Sequence, residues 1–328
     1  MMMFYLCCSF GLNALSPKIA GHFQTSTTII KLIPIGLMAI VGVIVGLANG
    51  TLANNFNAAP IVTDAASGGL LTAPLFAAVC ATSFAYEGWI VSTSINAELK
   101  DSKRNLPRAL IIGGLIIIAV YISYYLGVSG GAPVDVLLKD GATVAFTNVF
   151  GNVLGNILNL FIAISCLGTM NGLMVGCTRG VYALAARGEG FAPDLFSRVD
   201  EKTNMANNSA VLGLFFCGAW GLYFYLSNLA GTWSGPFVFD SSEIPIITLY
   251  ALYIPIFILW MIKSKDENPL RRFVLPALAI CGSLFMILAS IIGHGMANVW
   301  YLIVFAVIMA IGAIPVIRQR LTARKKAD

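Results

Sequence analysis

Phe84-Ala85-Tyr86-Glu87-Gly88-Trp89 lies in the middle of an apolar run from Thr72 to Ile95. The run is long enough to cross a bilayer, which takes about 20 residues. Yet Glu87 puts a carboxylate near its centre, followed by Gly88, the residue type that most easily lets a helix unwind. An ionisable group at membrane depth is costly, so by default it faces a cavity, a partner or a substrate path. An unwound helix also frees N–H and C=O groups that lipid cannot satisfy. Where such a break lines a cavity, the freed groups can bind a polar solute. The competing reading is a tight helix crossing, where Gly88 admits a neighbour and Glu87 is protonated or hydrogen-bonded.

The rest of the chain decides the class. Its 328 residues are 58% hydrophobic and only 11% charged, with a mean hydropathy of +0.84. A soluble domain cannot hide that much apolar surface. The apolar runs have helix length and lack the alternation of an outer-membrane barrel. Eight full spans are predicted: Thr28–Leu47, Leu71–Ile95, Ala109–Val128, Val153–Ala185, Ala210–Tyr225, Ile244–Ile262, Val274–Ile292 and Val299–Ile317. Met1–Leu15 is a ninth, partial one that reads as the end of a helix, and Pro17 and Lys18 open a short polar turn after it. The segment from Val153 to Ala185 is longer than a crossing needs and is expected to tilt or carry an extra turn. Gly-, Asn-, Pro- and Ser-rich loops such as Asn49–Gly69 and Ser227–Ser242 separate the spans.

Lys and Arg set the orientation. One side collects Lys18, Lys100, Lys103, Arg104, Arg108, Arg187, Arg198, Lys202, Lys263, Lys265, Arg271, Arg272 and the basic tail from Arg318, while the other side holds Lys139 alone. By the positive-inside rule the C-terminus is cytoplasmic, as are the loops after the second, fourth and sixth full spans. The net charge of +5 therefore reflects membrane-flanking anchors, and no nucleic-acid partner is implied. The seven cysteines lie in apolar segments without metal or disulfide spacing, and His22 and His294 stand alone, so no metal or other cofactor is assigned. No nucleophile–base constellation points to an enzyme.

Three blocks carry a resemblance. The first is Phe84 to Trp89 followed by Glu98, Lys100, Arg104-Asn105 and Pro107, the last read as the start of the next helix. The second is Ser165-Cys166-Leu167-Gly168-Thr169-Met170-Asn171-Gly172 with Arg179, Ala186-Arg187, Gly190 and Pro193. The third is Leu15 to Lys18, then Lys31 near the start of the next helix. In order and spacing these resemble the sixth span, the eighth span with its following loop, and the turn between the fourth and fifth spans of amino acid permeases. The superfamily is the amino acid–polyamine–organocation one, and the likeness is greatest to its L-type amino-acid-transporter-like branch. It covers the chain from about Leu12 onward. Asp101-Ser102 departs from a common Asn-Pro, and Ile90 stands where some members carry a polar residue.

The resemblance implies an all-α polytopic membrane protein with a partial inverted-repeat (5+5) transporter fold, eight full spans plus one partial. Residues 1–328 form a single transporter domain: 1–49 the end of the first repeat, 70–263 the second repeat, 272–318 two extra helices. It implies secondary active transport of an amino acid substrate across the cytoplasmic membrane by alternating access, as proton symport or exchange. Phe84 would be an aromatic gate over the substrate, Ala85, Tyr86 and Glu87 would offer carbonyls to its ammonium group, and Gly88 would permit the break. Lys31, with Ser165 and Thr169 as neighbours, matches the place where sodium-coupled relatives hold their ion. The bland reading of Lys31 is a snorkelling anchor only a few residues into its helix.

Three roles stay open for Glu87: reading a cationic side chain, carrying a proton, or holding structure. Asn171, Asn156, Asn159, Tyr121 and Tyr124 are expected to be interhelical hydrogen-bonders, not sites. By the resemblance, the first three spans have no counterpart and the fourth is cut. A truncated or misassigned reading frame, or a degenerate fragment, is the expectation, with weak or no substrate binding by the chain as written. The alternative function is a non-transporting remnant or partner-binding derivative of a permease. Which amino acid is carried, and in what oligomeric state, is not legible in the sequence.

Overall fold

A computed structural model describes residues 2–58, 73–203, 205–233 and 235–327. The far end of the Asn49–Gly69 loop, together with Leu71 and Thr72, lies outside the described residues. All regular structure among those described is helical. Among the described residues, eight helices are long and apolar enough to cross a membrane, and a shorter apolar one covers Met3–Ala14, so the count of eight and one agrees with the hydropathy reading.

The elements are α1 (Met2–Leu15), α2 (Pro17–Leu37), a π-helical turn (Met38–Gly42), α3 (Val43–Ala48), α4 (Thr51–Asn57) and α5 (Ala73–Tyr86). A 3₁₀ stretch (Trp89–Glu98) leads to α6 (Ser102–Gly131), α7 (Val134–Asp140), α8 (Thr143–Ala185), α9 (Pro193–Phe196) and α10 (Asn207–Phe224). The chain ends with α11 (Ile246–Lys263), α12 (Leu275–His294) and α13 (Met296–Ala327).

Two expectations are corrected. Pro17 and Lys18 do not make a loop: the Ser16 hydroxyl caps the Ile19 N–H, Pro17 takes the first helical position, and α2 starts there. Ser16 supplies the acceptor and Pro17 has no N–H to orphan, so a single residue joins α1 to α2. Nor does Pro107 open its helix. α6 begins at Ser102, after a left-handed Asp101, and encloses Pro107 in its second turn. The predicted span Val153–Ala185 runs without a break inside α8, whose kink at Gly151 (φ 76°, ψ 169°) lies two residues before it.

Residues 1–62, 88–188 and 192–218 form one compact unit, and 63–87, 189–191 and 219–328 form another. In the first unit, α6 meets the segment Met38–Gly46 backbone to backbone. A Cβ on Gly127 would overlap the Met38 carbonyl, one on Gly42 the Gly127 carbonyl, one on Gly130 the Gly42 carbonyl, and one on Gly46 the Gly130 Cα. Glycine at these four places lets the helices touch, the way membrane helices associate where burial from water provides no drive. The contact coincides with the π turn after Pro34, where the ring removes an N–H and a regular hydrogen bond. Around it Met38, Ala132, Ala145, Phe146 and Leu158 form a buried cluster, with Phe146 stacked on Phe150. Elsewhere α6 presents Ile111, Leu115, Ile118 and Ile122 outward along one helical stripe, an apolar surface suited to lipid.

Asn55 of α4 ties down the far end of α6. Its Nδ2 donates to the Ser129 (2.6 Å) and Ala132 (2.8 Å) carbonyls, and its Oδ1 accepts from the Val134 N–H (2.9 Å). One side chain thus satisfies two helix-end carbonyls and the first N–H of α7. Asn55→Ala is expected to destabilise the protein by about 2–3 kcal/mol, three modest net hydrogen bonds. A thermal melt in detergent measures this, and an unchanged melting temperature would show that water replaces the clamp.

In the second unit, α12 packs on α5 through Phe76, Cys80 and Ala289. Gly293 admits the α5 backbone there: a Cβ would come within 2.8 Å of the Ala77 nitrogen. The turn between α12 and α13 is held by Asn298, whose Nδ2 donates to the Ser290 carbonyl (2.6 Å) while its Oδ1 accepts from the Ser290 hydroxyl (3.1 Å). Thr248 and Tyr301 share a hydroxyl–hydroxyl bond of 2.8 Å in a cluster with Phe239 and Ile244.

Candidate functional site

The break begins where α5 stops, at Tyr86. The Glu87 N–H bonds the Phe84 carbonyl three residues back (3.1 Å), Gly88 takes φ 103°, and the Val91 N–H bonds the Gly88 carbonyl (3.0 Å) as the 3₁₀ stretch starts. A residue with a Cβ is disfavoured at that φ, which explains glycine here. The space around it is open, since a Cβ on Gly88 would meet nothing within 4 Å. Ten residues of 3₁₀ helix is an uncommonly long run. At roughly 2.0 Å per residue it extends about 20 Å, where α-helix would give about 15 Å.

The side chains at the break differ in setting. Phe84 and Tyr86 are 50% and 39% exposed, Ala85 is exposed, and Glu87 is half-buried. The Tyr250 hydroxyl of α11 lies near the Glu87 carboxylate, and Tyr253 faces the same charge. The Tyr253 ring stands edge-on to Tyr250 at 5.5 Å. The carbonyl end of α5 and a carboxylate therefore meet at one point, and both favour a cation there. The contribution of Tyr250 was not foreseen, since no local pattern links residues so far apart in the chain.

In the first unit, Lys31 is half-buried on α2. With α2 starting at Pro17, it stands about 21 Å along the helix axis, not within the first turns. Lys31 therefore lies well inside its helix yet within one turn of the Thr28 edge of the apolar run, and the snorkelling reading stands beside the coupling one. α2 packs along α8, with the Thr27 side chain over Gly168 and the Gln24 amide over Gly172. These pairs run in opposite directions along the two helices, so on ideal helices one further turn from Thr27 and Gly168 leads to Lys31 on α2 and to about Ile164–Ser165 on α8. The Thr169 hydroxyl bonds within its own helix, to the Ser165 carbonyl (3.1 Å). A separate cavity of about 290 Å³, lined among others by Asn55, Tyr125, Ser129 and Leu137, contains none of the eight expected site residues.

Outside the spans, Asp240 caps the approach to α11. Burial opposes its ionisation, but bonds from the Ser242 hydroxyl and the Ser242 and Glu243 N–H groups, with His294 nearby, hold its carboxyl below the usual range. No group of three His, Cys, Asp or Glu side chains able to hold a metal occurs among the described residues.

A chain of apolar spans, one of them broken at a carboxylate and a glycine, defines an integral membrane protein. The sequence profile of the amino acid permease family matches residues 1–314, and the chain belongs to that family. It is 28% identical over 304 residues to the serine/threonine exchanger SteT of Bacillus subtilis, covering 89% of this chain and 63% of the relative. To the b(0,+)-type amino acid transporter 1 of Mus musculus it is 26% identical over 299 residues, covering 89% of this chain and 57% of the relative. The human cystine/glutamate transporter matches over 195 residues at 27% identity, 57% of this chain and 36% of the relative. The chain thus spans about three fifths of the length of the first two.

Proposed function

We propose that the protein carries out secondary active transport of amino acids across the cytoplasmic membrane, by proton symport or exchange with alternating access, with its C-terminus in the cytoplasm. The observation that carries this reading is the break at Glu87–Gly88 in the middle of a membrane span, where a helix end and a carboxylate converge. In this reading Phe84 closes over the substrate, the carbonyl end of α5 at Ala85, Tyr86 and Glu87 receives its ammonium group, and Gly88 permits the geometry. Lys31, with Ser165 and Thr169, is the coupling site. The relatives' names, a serine/threonine exchanger and an amino acid transporter, support an amino acid as cargo.

The test is uptake and counterflow of labelled amino acids by cells expressing the protein from its own locus, against the deletion strain. Saturable uptake that disappears with the gene supports the reading. A protein that inserts, folds and leaves uptake of every amino acid unchanged sinks it and leaves the non-transporting derivative.

In this scheme the nearness of Tyr250 favours a proton-carrying or structural Glu87 over one that reads the substrate's side chain. Glu87→Gln keeps a hydrogen-bonding partner for Tyr250, so the preference between serine and lysine is expected to stay within about threefold, under about 1 kcal/mol. The pH dependence of uptake is expected to flatten. Loss of lysine uptake alone would instead make Glu87 a reader of cationic side chains.

A further inference from the structure

Asn171 is a buried polar side chain of the first unit that bonds to two other helices. It lies on α8 and is 2% exposed. Its Oδ1 accepts from Asn13 Nδ2 (2.9 Å) and Ser9 Oγ (3.4 Å), both on α1, and its Nδ2 donates to Gln24 Oε1 (3.3 Å) on α2. Asn13 also donates to the Ser9 carbonyl (2.9 Å) and weakly to the Asn171 carbonyl (3.5 Å). Ser9 and Asn13 are each 4% exposed. A single amide therefore joins three helices with nearly every polar atom paired. In hydrocarbon no water takes the place of a lost partner.

The joint has two arms with different geometric consequences. The arm to α1 holds a helix that carries none of the expected site residues. The arm to α2 acts along the same face as the Thr27–Gly168 and Gln24–Gly172 contacts, which mark how far α2 is advanced along α8. Apolar packing of small residues does little to choose between neighbouring registers, which differ by one turn, about 5.4 Å. A directional bond between Asn171 and Gln24 does choose. Lys31 lies on α2 two turns beyond Gln24, and Ser165 lies on α8 not quite two turns before Asn171.

We propose that Asn171 is a positioning residue: through Gln24 it fixes the register of α2 on α8 and thereby places the Lys31 ammonium opposite Ser165. The functional half of this proposal rests on the reading of Lys31 as the coupling residue. Asn171 touches no substrate and acts through Lys31.

The experiment reads register directly. In membranes holding the protein with its native cysteines replaced, Lys31→Cys is paired in turn with Phe161→Cys, Ser165→Cys and Thr169→Cys. Each pair is treated with a short bifunctional methanethiosulfonate. The 31–165 pair is expected to give the dominant cross-link. Gln24→Leu and Asn171→Leu are each expected to move that cross-link by one turn, to 161 or 169, while Asn13→Leu leaves it at 165. If all three leucine variants lower the yield of folded protein alike and leave the cross-link at 165, the joint only stabilises and the proposal is overturned. Should Asn171→Leu fail to fold, Gln24→Leu carries the same test with the α1 arm intact. The coupling reading is tested separately by Lys31→Met. If the cross-link moves as expected but Lys31→Met leaves uptake and its pH profile unchanged, positioning stands and coupling falls. If Lys31→Met alters the pH profile, Gln24→Leu is expected to alter it in the same direction.

Discussion

Gly127→Val is expected to unfold the first unit in detergent, with a loss of at least about 3 kcal/mol, at or beyond the upper end for an overpacked core. The new Cβ would overlap the Met38 carbonyl, a backbone atom that no change of rotamer can move. To admit it, α6 must back away from the Met38–Gly46 segment, and the close contacts at Gly42, Gly46 and Gly130 go with it. The same helix provides the control. At Gly113 and Gly114 an added Cβ would meet nothing within 4 Å. Gly113→Ala is therefore expected to be neutral or to stabilise by up to about 1 kcal/mol, the helix-propensity difference. Melting curves of the two variants against the parent decide this. Equal losses would mean that the glycines act through backbone flexibility and not through contact.

Gly88→Val is expected to do the reverse, leaving the protein folded and removing its function. A side chain at Gly88 meets open space, so nothing clashes. What it opposes is the backbone, because a β-branched residue is a conformational outlier at φ 103°. At a cost of about 1–3 kcal/mol the residue either stays strained or relaxes toward ordinary helical angles. Relaxation re-forms the ladder between α5 and the 3₁₀ stretch and closes the break. Uptake is expected to fall at least about tenfold, equivalent to roughly 1.4 kcal/mol of lost substrate stabilisation. The melting temperature should shift less than for Gly127→Val. Unchanged uptake by folded Gly88→Val protein would place the substrate site elsewhere.

Span count and the site of the break were legible because both are written locally. A hydrocarbon-length run announces a crossing, and a carboxylate beside a glycine announces its interruption. What escaped was pairing between distant segments. Gly113 and Gly127 are the same residue type in the same helix, and only the fold shows that one is bare and the other pressed against a carbonyl. The Gly42-x3-Gly46 and Gly127-x2-Gly130 spacings were available as a signal of close helix approach, though without naming the partner. Tyr250 and Glu87 are linked only through tertiary structure. Helix starts were blurred by a different cause. Hydropathy marks where a helix enters the apolar layer, whereas Ser16 and Pro17 mark where it begins, and that difference of about three turns moved Lys31 away from the start of its helix while leaving it one turn inside the apolar run.

The glycine contact also limits how this lineage can diverge. An overpacked core is ordinarily rescued by trimming the side chain opposite, so paired positions drift together. At Gly42, Gly46, Gly127 and Gly130 the opposing group is main chain, which has nothing to trim. No second-site change can compensate a larger residue at any of the four. They form a fixed point in sequence space, held by geometry whatever cargo the protein comes to carry, while the lipid-facing stripe on the same α6 is free to vary among apolar residues.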